Sequence, residues 1–239
     1  MISAHLRSRS IINHPNVLAL YGACVEAAVP FLVMRYCSFG DVCHYLDVYP
    51  DADRSKLSYE VAVGLAYLHS KNIVHADIKS ANVLVGDDHR ALLADFGLAL
   101  KVKEIRTRST YSQELDRERG TLCWMAPEVL EGGSPDQAAD VYSLGMTIWE
   151  AGAFLLVESM QHSEYLVQIF SGEPPFEALI NEQALVDSVV HYKIRSRRPR
   201  RMSADGMWQV VQECWEADPR ARPTVRQVQD SLRQLLQCR

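Results

Sequence analysis

The sequence predicts an α+β fold in which a few short strands come first and helices fill the rest. Two observations carry this. Strand-like runs occur only near the N-terminus and around residues 83–94, whereas helical patterns dominate beyond residue 137. No strand–helix alternation and no internal repeat appears along the 239 residues, which excludes a doubly wound sheet or a solenoid. Taken in order, residues 5–12 fit the end of a helix, and Asn13-His14-Pro15-Asn16 breaks it. Val17, Leu18, Leu20 and Tyr21 predict a strand ending near Gly22, and residues 29–36 predict a second. Cys37 to Gly40 is a linker, after which Asp41 can cap a short helix through Leu46. From Leu57 to His69, large apolar residues alternate with Ala62, Gly64 and Ala66, the mixture of a closely packed helix. Ala91 to Ala94 is a short apolar strand that ends on Asp95. The polar, Arg-rich span 101–119 predicts a long exposed loop, long enough to serve a function. Residues 137–150 predict a nearly all-buried helix, and 183–190, 204–216 and 224–237 predict three more, with a Pro-rich break at 172–176.

Composition narrows the function classes. Hydrophobic residues make up 48% and charged residues 23%, as in a soluble globular domain. A formal charge of -5 argues against a general nucleic-acid binder, and the basic run from Lys193 to Arg201 fits a solvated loop. The six cysteines are widely spread and lack ligand spacing, so they predict reduced thiols. The opening residues lack the apolar core of a signal peptide, and charges interrupt the apolar run at 144–157. These features predict an intracellular, cytoplasmic protein without a membrane span, and leave its oligomeric state open.

The chemistry lies in His75 to Leu84, H-A-D-I-K-S-A-N-V-L, followed by L-A-D-F-G at 93–97. Phosphoryl transfer needs a nucleotide whose charge is neutralised by magnesium, and a hydroxyl held in line with the transferred group. Asp95 suits magnesium, a hard cation that prefers carboxylate oxygen, and Asn82 can supply a second oxygen. Asp77 can accept or orient the hydroxyl proton, and Lys79 can offset charge on the transferring group. One Asp near one Asn is ordinary turn chemistry; the ordered set of four is the specific signal.

These segments resemble the protein kinase family. The stretch from His75 to Asn82 resembles its catalytic loop, and Asp95-Phe96-Gly97 its magnesium motif. G-T-L-C-W-M-A-P-E at 120–128 resembles the end of its activation segment, and D-V-Y-S-L-G at 140–145 its central lower-lobe helix. C-W-E-A-D-P-R-A-R-P-T at 214–224 resembles its late helical signature. Five motifs in family order cover residues 13–236. The resemblance implies a mainly α-helical C-lobe at 37–239, with activation segment 95–128, and a remnant of the strand-rich N-lobe at 1–36. It implies Asp77 as catalytic aspartate, helped by Lys79 and Thr121, with Asn82 and Asp95 as metal ligands. Leu84 would lie under the adenine ring, Met34 at the back of the pocket, and Arg35, Tyr36 and Cys37 in the hinge. Glu128 would pair with Arg222, and Asp140 would hold the catalytic-loop backbone. ATP, Mg2+ and a protein substrate are the implied partners. Lys79-Ser80 and C-W-E-A-D-P resemble the tyrosine-kinase-like branch of Ser/Thr kinases.

Four departures accompany the resemblance. The family's glycine-rich phosphate loop and strand lysine have no counterpart in the 239 residues. The position of the usual helix glutamate is His5. Ala76 stands where the family places the arginine that pairs with a phosphorylated activation segment; Thr107, Ser109, Thr110, Tyr111 and Ser112 are the candidate phosphosites. Residues 151–168 separate Trp149-Glu150 from Ile169-Phe170, either as a true insert or as a retained intron in frame. The chain by itself is therefore expected to be weakly active or inactive, with a pseudokinase or binding scaffold as the alternative to an enzyme.

Overall fold

The computed structural model describes residues 12–24, 31–95, 100–101, 119–153, 182–199, 202 and 205–238. The expectations for residues 5–11, the loop at 102–118 with its phosphosites, Phe96 and Gly97, the insert and the Pro-rich break lie outside the described residues.

The α+β expectation holds. Two strands, β1 (Leu20–Cys24) and β2 (Phe31–Met34), pair antiparallel. The first strand begins later than the apolar pattern suggests and runs through Gly22. Val17 and Leu18 are drawn away from it: Val17 bridges Leu93, and the Leu18 amide donates to the Leu93 carbonyl at 2.9 Å. Asn16 completes this docking, its side-chain amide donating to the Ala91 carbonyl at 3.0 Å. Local β propensity at 17–18 thus yields to a tertiary anchor.

Helix α1 (Val42–Val48) follows, and Asp41 caps it as expected, accepting from the His44 amide at 2.9 Å. Helix α2 (Arg54–Ser70) starts three residues before the apolar pattern. Asp53 caps it by accepting from the amides of Ser55 and Lys56, and the sequence pattern alone does not show this start. Its small residues permit close approach: a Cβ on Gly64 would sit 2.3 Å from the Asn16 carbonyl oxygen.

The chain then forms β3 (Ile73–Val74), a tight helical turn at Ser80–Asn82, β4 (Val83–Val85), β5 (Ala91–Leu93) and β6 (Leu100–Lys101). The last of these pairs with β3, while β4 pairs antiparallel with β5, placing Leu84 opposite Leu92. Helix α3 (Pro127–Leu130) opens with proline, whose missing N–H costs nothing in a first turn. Helix α4 (Gln137–Ala153) is the buried core helix; Leu144 is fully buried, and Tyr142, Ile148 and Trp149 nearly so. Helix α5 (Glu182–Val186) continues into a wider turn at Asp187–His191. Helix α6 (Asp205–Cys214) packs on α4, where Gly145 lets Cys214 approach; a Cβ on that glycine would lie 2.6 Å from the cysteine Cβ. Helix α7 (Val225–Gln237) opens with the Thr224–Gln227 capping box and packs on α2. One core cluster joins α1, α2, α4, α6 and α7 beneath the turn at Ser80–Asn82.

Candidate active site

The loop from His75 to Asn82 is suspended from buried groups. Asp140, 1% exposed on α4, accepts from the backbone amides of His75 at 2.8 Å and Ala76 at 2.9 Å. The His69 ring shares the same carboxylate at 2.8 Å. A buried carboxylate accepting two consecutive amides fixes two consecutive peptide planes, and Ala76 accordingly takes a left-handed φ of 68°. His75 is fully buried, and burial holds its pKa below the ordinary histidine value. Its Nδ1 accepts from the Asp77 amide at 3.3 Å, so the neutral ring carries its proton on Nε2, which donates to the Ala94 carbonyl at 2.9 Å. One imidazole therefore sets the spacing between Asp77 and the residue before Asp95.

Three of the polar side chains named from the sequence meet directly. Lys79 Nζ lies 3.2 Å from Asp77 Oδ2. Asn82 Nδ2 donates to Asp77 Oδ2 and to the Asp77 carbonyl, each at 2.8 Å. Both amide protons are thereby used, which leaves Asn82 Oδ1 as the atom able to face a cation. The other Asp77 oxygen, Oδ1, is buried and has no hydrogen-bond partner among the described residues. A buried, unpartnered carboxylate oxygen is costly to keep, and its natural complement is a donor brought by a ligand. The Ala94 amide donates to the Asn82 carbonyl at 2.8 Å, which draws Asp95 to the same place; Asp95 is itself held at a left-handed φ of 56°.

A cavity of about 340 Å³ opens beside these groups, lined by Ile12, Leu18, Leu20, Leu32, Met34, Ala81, Asn82, Leu84, Ala94 and Asp95. Its walls are apolar and its polar lining, Asn82 and Asp95, comes from the two loops named from the sequence. That suits a flat aromatic group with a charged tail. Met34 and Leu84 line it. Tyr36 is 82% exposed, and Cys37 is buried with Leu18, Leu92 and Ala94; neither side chain is in the lining. Thr121 falls in the helical turn Arg119–Trp124, with its side chain outside the described residues.

Further from the cavity, Arg222 forks onto Glu128, Nη1 to Oε1 at 2.6 Å and Nη2 to Oε2 at 2.8 Å. The Tyr142 ring lies under that guanidinium and under Arg195, at 5.1 and 5.4 Å. Sequence reasoning missed the buried Glu150. A second carboxylate, at the end of the mainly apolar run 144–149, was the available signal.

The chain matches the family model described as protein tyrosine and serine/threonine kinase over residues 3–232, and it belongs to that family. It is 30% identical over 94% of its length to the serine/threonine-protein kinase STY17 of Arabidopsis thaliana. It is 29% identical over 94% to mitogen-activated protein kinase kinase kinase 13-A of Xenopus laevis, and 28% identical over 94% to mitogen-activated protein kinase kinase kinase 12 of Rattus norvegicus. It spans 35%, 20% and 22% of those three relatives. Among the described residues, no helix is long and apolar enough to cross a membrane.

Proposed function

We propose that this chain contributes the lower lobe of a protein serine/threonine kinase, with residues 1–36 as a remnant of the upper lobe. The supporting observation is the unpartnered, buried Asp77 Oδ1 beside Lys79 and Asn82. Asp77 Oδ1 accepts the hydroxyl proton of a substrate serine or threonine and orients its oxygen. Lys79 holds the other Asp77 oxygen and brings positive charge to the transferring group. Asn82 Oδ1 and Asp95 would hold Mg2+, which when bound neutralises the phosphate charge of ATP. The apolar walls, Leu84 and Met34 among them, receive the base, and Tyr36 and Cys37 are proposed as part of the hinge. Thr121 is proposed to assist Asp77 and Lys79.

The test is transfer of the γ-phosphate of ATP to a serine/threonine protein substrate, by the 239-residue chain and by any longer product of its transcript. Low transfer by the chain, strong transfer by a longer product carrying a glycine-rich loop, and loss of about 100-fold or more in Asp77→Ala are expected. Ala76, in the place of the phosphate-pairing arginine, favours one second reading, a binding scaffold. Transfer that is absent from every product, or indifferent to Asp77→Ala, would establish it over the enzyme.

A further inference from the structure

Glu150 lies on the last third of α4, is 3% exposed, and is surrounded by donors from three other parts of the chain. Its Oε2 accepts from the Ser80 hydroxyl, from the Ser80 amide at 3.4 Å and from Trp124 Nε1 at 2.9 Å. Its Oε1 faces the Cys43 thiol of α1 at 3.8 Å. None of these partners is a cation, so this is no salt bridge. It is a carboxylate held by neutral donors, an arrangement that burial makes costly and hydrogen bonds must offset.

Ser80 is where that carboxylate meets the site. It is fully buried and begins the tight turn that ends at Asn82. Lys79 precedes it, and the Lys79 carbonyl accepts from the Asn82 amide at 2.9 Å. The backbone on both sides of Ser80 therefore carries the two groups that grip Asp77. Trp124 ends the helical turn from Arg119, so the same carboxylate also ties the chain just before α3 to the loop.

We propose that Glu150 is a positioning residue: it holds Ser80, and with it the turn carrying Lys79 and Asn82, in register with Asp77, and fastens that turn to Trp124. The inference concerns loop placement and rests on the kinase reading only for its effect on turnover. Glu150 acts through Ser80 and touches no substrate.

The experiment compares the whole chain and any active longer product with Glu150→Gln, Ser80→Ala and the double variant. In nitrogen-15 spectra, Glu150→Gln shifts the Trp124 indole resonance and the amides of Lys79 to Asn82, while the indole of Trp208 stays in place. In transfer assays, each single variant lowers kcat about ten-fold with KM for ATP unchanged, and the double variant is no worse than either. Unmoved amides at 79–82, additive losses, or a loss that only tracks the folded fraction would overturn the proposal. If Glu150→Gln does not fold, Ser80→Ala must by itself shift the Trp124 indole; a still resonance sinks the idea. If neither the chain nor any longer product transfers phosphate, the kinase reading falls, and the loop amides still decide whether Glu150 holds the turn.

Discussion

The loop at 75–82 and the hairpin of β1 and β2 border the same cavity and are held in opposite ways. The loop hangs on two buried carboxylates of α4, Asp140 and Glu150, and on its own buried His75, whose ring reaches the Ala94 carbonyl just past β5. The hairpin offers Phe31, Leu32, Val33 and Met34 to solvent at 44–53% exposure, and its pairing shifts register between Leu20 and Gly22. The geometry around Asp77 is thus set from the helical body below it. Among the described residues, the hairpin side of the cavity is the less buried of the two.

The sharpest way to break that contrast is Asp140→Ala. It strands the buried His75 amide, the partly buried Ala76 amide and the His69 ring, and is expected to cost about 3–5 kcal/mol, read as a fall in the urea midpoint. A comparable loss from any single hairpin substitution would overturn the comparison. Next comes pH. Burial pushes Glu150 up from 4.5 to about 7, so the folded state binds its proton more tightly than the unfolded one. Its contribution is fully present below about pH 4.5 and is lost as pH rises through about 7, on the order of 3 kcal/mol in all. The stability difference between the wild type and Glu150→Gln should fall by that amount across this window, and a flat difference would show that the group is solvated. The ionised form that best accepts the Ser80 and Trp124 donors is thus held at some expense of stability.

Arg222→Lys keeps the charge and loses the fork onto Glu128 and the fit over Tyr142, for about 2 kcal/mol by the same denaturation. Leu32→Ser sharpens the other side. It should change stability by about 0.5 kcal/mol or less while weakening ATP binding several-fold by calorimetry, because Leu32 is half exposed yet lines the cavity.

Much of this was legible in the sequence. The α+β order, the Asp41 cap and the pairing of Glu128 with Arg222 all followed from motif or pattern, and Asp77, Lys79 and Asn82 meet as their spacing suggested. What escaped depended on partners distant in sequence. Val17 and Leu18 look like strand residues until Leu93 is placed beside them. The start of α2 is set by a cap on Asp53 rather than by an apolar stripe. Glu150 looks like the polar end of an apolar helix, because Ser80 and Trp124, which explain it, lie 70 and 26 positions away.

The contact between Gly145 and Cys214 sets a gauge for the whole helical body. The gap between α4 and α6 there admits one hydrogen atom and no methyl group. Any larger residue at 145 would act as a wedge near the middle of the helix that carries Asp140 at one end and Glu150 at the other. Misalignment would then reach the loop at 75–82 through both of its tethers at once, from a point that touches neither.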